Sequence, residues 1–110
     1  MSKWTGVDLD GVLAFYDGWK GIEHIGDPIP KMKEKVLTWI ASGKIIKIFT
    51  ARATHKEAIP YIKKWLKEHG FPDLEITNVK DFGMEMLYDD RCVQIVKNKG
   101  ISIIESAWME

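Results

Sequence analysis

Apolar positions change their period several times along this chain, and each change marks an element. Trp4 to Asp10 reads as a first strand running into a Gly-led loop, although Trp4-Thr5-Gly6-Val7 is weaker in apolar character than a buried strand usually is. Ile45 to Thr50 is a continuous run rich in β-branched residues, the pattern of a strand buried on both faces. Between them Met32, Val36, Leu37 and Ile40 recur at helical spacing, with Pro28-Ile29-Pro30 as a start and Ser42-Gly43 as a stop. A second helix follows: Thr54-His55-Lys56-Glu57 fits a capping box, Ile59, Ile62 and Leu66 share one face, and Gly70 and Pro72 end it. Pro60 is unsuited to a helix interior, so the spacing predicts either a separate opening turn over Thr54 to Ala58 or a kink there.

Leu74 to Thr77 is a short third strand, and Met84 to Tyr88 a fourth that ends at Asp89-Asp90. Cys92 to Val96 and Ile101 to Ile104, joined by Lys97-Asn98-Lys99-Gly100, read as a final strand pair with a turn. Strands alternating with helices argue for an α/β fold, a three-layer Rossmann-like parallel sheet with right-handed crossovers and helices on both faces. No repeat or low-complexity tract breaks the chain, which reads as one domain over residues 1–110. In such a sheet ligands bind at the carboxyl ends of the strands.

Composition narrows the function classes. At 110 residues, 45% apolar and 29% charged, the chain can build one modest core. Sixteen Lys plus Arg balance sixteen Asp plus Glu, so no bulk positive field exists to hold a nucleic acid or an anionic membrane. An anionic ligand must be caught by local design. The single cysteine, Cys92, permits neither an intrachain disulfide nor a multi-Cys zinc site and points to a reducing, cytoplasmic setting. Met-Ser-Lys-Trp-Thr at the start carries no apolar signal region, and no membrane association is expected.

The expected strand ends carry the chemistry. The first ends in Asp8-Leu9-Asp10-Gly11, the second in Phe49-Thr50-Ala51-Arg52 and the fourth in Asp89-Asp90-Arg91, with Lys80 just after the third. Singly, each has an ordinary reading as a turn, a helix-entry hydroxyl or a surface charge. An EF-hand loop is excluded, because Gly11 directly follows the second Asp and no third ligand has the required spacing. Taken jointly, carboxylates at one edge of a parallel sheet repel unless a cation or proton lies between them. Hard oxygen ligands without a His/Cys cluster select Mg²⁺ as the cofactor. The Thr50 hydroxyl and Lys80 ammonium then supply donors suited to a phosphoryl group.

This order of residues resembles the haloacid dehalogenase-like (HAD) superfamily of phosphohydrolases. Asp8-x-Asp10-Gly11-Val12-Leu13 matches its first motif, Phe49-Thr50 its second, Lys80 its third and Asp89-Asp90 its fourth, over most of the chain. Asp17-Gly18-Trp19-Lys20, Ile25-Gly26-Asp27-Pro28 and Thr77 to Gly83 are further similar to small HAD proteins of phage and bacterial genomes. The resemblance implies a Mg²⁺-dependent phosphomonoesterase in which Asp8 is the nucleophile and forms an aspartyl phosphate. Asp10 would protonate the leaving oxygen and then activate water. Asp8, Asp89 and the Asp10 backbone carbonyl would hold Mg²⁺, with Asp90 in support. Thr50, Lys80, Gly11 and Ala51 would bind phosphate. Arg52 would support the site, either on a second phosphate or in a salt bridge with one of the site aspartates.

HAD enzymes often carry a cap domain, and the stretch from Gly11 to Pro28 has room only for a short flap. An open site suits a phosphate on a bulky partner such as a nucleotide, a polynucleotide end or a protein; alternatively a homo-oligomer covers it over a small metabolite. Phe15, Tyr16, Trp19, Lys20 and His24 on the flap could stack on a base or sugar, but Tyr16 and Trp19 read first as apolar residues that keep a small flap folded. Two competing functions remain. One is a receiver-like phospho-accepting domain, in which phosphate would persist on Asp8; the other is a catalytically silent phosphate-binding module, in which Asp8→Asn would change nothing in an assay of hydrolysis.

Overall fold

The computed structural model describes residues 2–108. Four strands, β1 (Trp4–Val7), β2 (Ile46–Phe49), β3 (Ile76–Thr77) and β4 (Met84–Tyr88), form one all-parallel sheet in the order β3-β2-β1-β4. The fold is therefore α/β. Helices α1 (Pro30–Ala41) and α2 (Ile59–Glu68) make the crossovers from β1 to β2 and from β2 to β3, after which the chain returns past β1 and adds β4 on its far side.

β1 lies between two neighbours, and all four of its residues are buried. Its weak apolar character has a packing reason. A Cβ on Gly6 would stand 3.0 Å from both the Leu87 and the Met84 side chains of β4, so the strand gives up a side chain where its neighbour fills the space. Val7 and Ile48 pair in register, and both join Val36 of α1 and Ile62 and Leu66 of α2 in one core. Burial of these aliphatic side chains, at roughly 1.5–3 kcal/mol each, is the main force seating both helices on the sheet.

α1 begins at Pro30, where the missing N–H has no partner to lose, and ends as the Ser42 and Gly43 amides bond Thr38 and Ile40 carbonyls. Of the two arrangements offered for Pro60, the separate opening turn forms. Two 3₁₀ turns, Ala51–Thr54 and Lys56–Ala58, precede α2, and Pro60 falls in its first turn. The Thr54 capping box does not form: α2 starts after Ala58 with no side-chain cap, and the Thr54 hydroxyl accepts from Asn78 Nδ2 at 2.9 Å instead.

Three expectations need correction, the first being that β3 keeps only Ile76–Thr77 of the expected Leu74 to Thr77. β1 ends at Val7 and not at Asp10, because the Leu9 carbonyl turns to accept from the amides of Leu13 and Ala14. The expected final strand pair reduces to one antiparallel bridge, Ile95 with Ser102, closed by Val96 N–H to Ile101 O and Ile103 N–H to Gln94 O. Ile103–Trp108 is a short helix, α3. Ser102 Oγ accepts from the Glu105 amide at 2.9 Å, so Ser102-x-x-Glu105 caps a helix where alternation of apolar residues suggested a strand. Among the described residues, no helix is long and apolar enough to cross a membrane.

Candidate active site

Register puts the chemistry together. Val7 pairs with Tyr88, so the residues that follow them, Asp8 and Asp89, leave adjacent strands side by side, and Asp8 N–H continues the pairing to Tyr88 O at 2.9 Å. Phe49 pairs with Thr77, and Thr50 and Asn78 leave in the same way, with Thr50 N–H bonded to Thr77 O. The first residue past each of the four strands lines a single cleft of about 850 Å³ at the carboxyl edge of the sheet.

The loop after β1 keeps a strand-like alternation. Leu9 and Leu13 are fully buried and anchor it, while Asp8 and Asp10 reach the cleft. Gly11, at φ +89°, turns the chain; a Cβ there would lie 2.7 Å from Asp90 Oδ2. The Gly11 amide is bonded to Ala14 O, and Gly11 faces the depression behind Asp90 instead of the cleft. Its lack of a side chain leaves space for the Asp90 carboxylate.

Asp8, Asp89 and Asp90 each offer a carboxylate oxygen within 4.8 Å of the other two. Burial, followed by the charge of Asp89, pushes Asp8 up to about 7 from its ordinary 3.8. Asp90 adds to the rise by hydrogen bond and charge, and the Leu9 amide, 2.8 Å from Asp8 Oδ1, opposes it. The donor set fits a hard divalent cation.

The Asp10 side chain is engaged apart from the three clustered carboxylates. Its carboxylate is held by Arg52, Nε to Oδ2 at 2.8 Å and Nη2 to Oδ1 at 2.9 Å. Asp90 takes the third position in the carboxylate group. Arg52 is buried, and of the two places offered for it the salt bridge is the one it occupies. It also donates to the flap carbonyls of Ile22 at 3.2 Å and His24 at 2.9 Å. Thr50 is buried at the cleft floor, with Oγ1 accepting from the Arg52 amide at 3.2 Å, and Ala51 lies exposed beside it on the cleft wall.

Lys80 is exposed on the β3–β4 loop and does not line the cleft; Arg91 does. That loop is pinned: Asp81 Oδ1 accepts from Trp4 Nε1 and from the Gly83 amide, both at 2.8 Å, and the Trp4 bond holds Asp81 below its usual carboxylate value. Asn78, like Thr54 and His55, lines the cleft without having been singled out as a site residue in the sequence. Its signal was available, since it is the first residue after the third strand, the same position that singled out Asp8, Thr50 and Asp89.

The flap is tied down at its base. Phe15 N–H bonds Asp27 O, Trp65 Nε1 of α2 bonds Gly26 O at 2.8 Å, and a Cβ on Gly26 would collide with the Phe15 carbonyl. Tyr16 and Trp19 line the cleft and remain 45% and 57% exposed, so they are not the buried flap core that apolar character suggested. Comparisons with protein-family models, with curated proteins and with solved structures returned no match.

Proposed function

We propose that this protein is a Mg²⁺-dependent phosphomonoester hydrolase of the HAD superfamily, a capless three-layer Rossmann-like form acting through an aspartyl phosphate on Asp8. The observation that carries the reading is the meeting of Asp8, Asp89 and Asp90 with Thr50 at one sheet edge. Three carboxylates packed this closely lose stability by repulsion, a cost that a cation-dependent site turns to use.

Asp8, Asp89 and Asp90 would hold Mg²⁺, which supplies charge neutralisation for the carboxylates and the phosphoryl oxygens. Asp8 attacks phosphorus through a carboxylate oxygen, the bond from phosphorus to the leaving oxygen breaks, and Asp10 gives that oxygen its proton. Asp10 then takes a proton from water as the water attacks phosphorus and the bond to Asp8 breaks, which restores both aspartates. Each Asp10 oxygen accepts one bond from Arg52 and keeps a second lone pair, on which the proton is carried. Thr50 donates its hydroxyl hydrogen to a phosphoryl oxygen. Arg91 lines the cleft and is a cation available to phosphate, whereas Lys80 would need the pinned β3–β4 loop to shift.

Release of phosphate from a generic aryl phosphate, measured with and without Mg²⁺, tests the reading. Wild type should turn over only with the metal, and Asp8→Asn should lose activity by about a thousandfold or more. Equal rates in the two proteins would remove the enzyme reading.

A further inference from the structure

The cleft is larger than a phosphate needs, and one of its walls is aromatic. Its volume of about 850 Å³ lies within the usual range for a whole small-molecule ligand. Trp19 stands on that wall 57% exposed, although burying an indole would stabilise a small domain. It is not loose. The Arg52 guanidinium lies 4.8 Å from the ring centroid, and that guanidinium is itself fixed by Asp10, Ile22 O and His24 O. A cation clamped beneath the ring holds it at a set angle while Trp19 still lines the cleft and stays more than half exposed. Tyr16 adds a second exposed ring on the same wall, while Thr54, His55 and Asn78 form a polar side of the cleft.

We infer that Trp19, mounted on Arg52, is a stacking platform for the leaving group, and that the substrates are phosphomonoesters carrying a planar ring, nucleoside monophosphates as a class. The inference deepens the phosphohydrolase reading and rests on it for the place of the phosphate. A mononucleotide fits better than a long polymer: sixteen basic residues balanced by sixteen acidic ones give no field for a polyanion. Base stacking tolerates any base, so the selection is between a ring and no ring.

The test compares kcat/KM for adenosine and thymidine 5′-monophosphates against ribose 5-phosphate, with Mg²⁺, in wild type, Trp19→Leu, Trp19→Phe and Phe15→Leu. Phe15 is the control, a flap ring that is exposed but outside the cleft lining. The nucleotide-to-sugar ratio should fall about tenfold or more in Trp19→Leu, be largely restored in Trp19→Phe, and stay at the wild-type value in Phe15→Leu. Melting temperatures of all four proteins report whether each is folded. A Trp19→Leu protein that loses both kinds of substrate equally, or neither, overturns the inference while leaving hydrolysis intact. If wild type hydrolyses none of them, calorimetric binding to Asp8→Asn decides: tighter nucleotide binding that Trp19→Leu abolishes upholds the platform without the chemistry, and equal or absent binding of nucleotide and sugar phosphate overturns it.

Discussion

Arg52 grips Asp10 through two parallel hydrogen bonds of 2.8 and 2.9 Å while donating to two carbonyls of the flap. One planar cation thereby fixes Asp10, the proposed proton-transfer residue, together with the flap. Arg52→Lys keeps the charge but cannot span four acceptors, so activity should fall about ten- to a hundredfold. Arg52→Met also strips the partner from a part-buried carboxylate and should cost about 2–3 kcal/mol, read from denaturant midpoints.

Metal-free stability should depend on pH in a direction set by Asp8. Its carboxyl titrates near 7 in the folded protein against 3.8 as its ordinary value, so the native state holds more protons than the unfolded state between those limits. Its contribution is complete below about 4 and lost as pH rises to about 7. Melting temperature in EDTA should therefore drop over that window, and Mg²⁺ should restore it above pH 7. Asp8→Asn should flatten the profile. A metal-free melting temperature that rises steadily from pH 4 to 7 in wild type would contradict the assignment.

Gly11→Ala puts a methyl group 2.7 Å from Asp90 Oδ2 at a residue with φ +89°. The backbone strain alone should cost about 1–2 kcal/mol. Displacement of Asp90 should in addition weaken Mg²⁺ binding, measured by calorimetry, beyond what the loss of stability explains.

Arg91→Ala should raise KM for phosphomonoesters several-fold, because Arg91 lines the cleft. Lys80→Ala distinguishes two arrangements. A larger loss of kcat in Lys80→Ala than in Arg91→Ala would mean that the loop anchored by Asp81 and Trp4 rearranges when substrate binds.

Most of the sheet was legible because its strands are short apolar runs between Gly, Pro and Asp. Met84–Tyr88 was read at its full length, and the carboxyl ends of β1, β2 and β4 were read as the places where chemistry gathers. Pairing partners were not legible. Only the register of Val7 with Tyr88 makes Asp8 and Asp89 neighbours, and nothing local in either segment states it. The C-terminal segment misled for a physical reason: Ile101 to Ile104 has strand-like β-branched residues, and the Ser102 cap overrides them. Thr54-x-x-Glu57 misled in the opposite way, since a capping sequence carries weight only where the backbone enters a helix. That the Asp10 carboxylate is taken by Arg52 was not legible either, because the two lie forty-two positions apart.

The central claim is tested most directly by quenching the protein in acid during turnover of a phosphomonoester with Mg²⁺ and locating the phosphate by peptide mass spectrometry. A phosphorylated Asp8, absent without Mg²⁺ and absent in Asp8→Asn, is the expected result. Product release with no phosphate on Asp8 at any quench time, or with phosphate on another residue, would contradict the account.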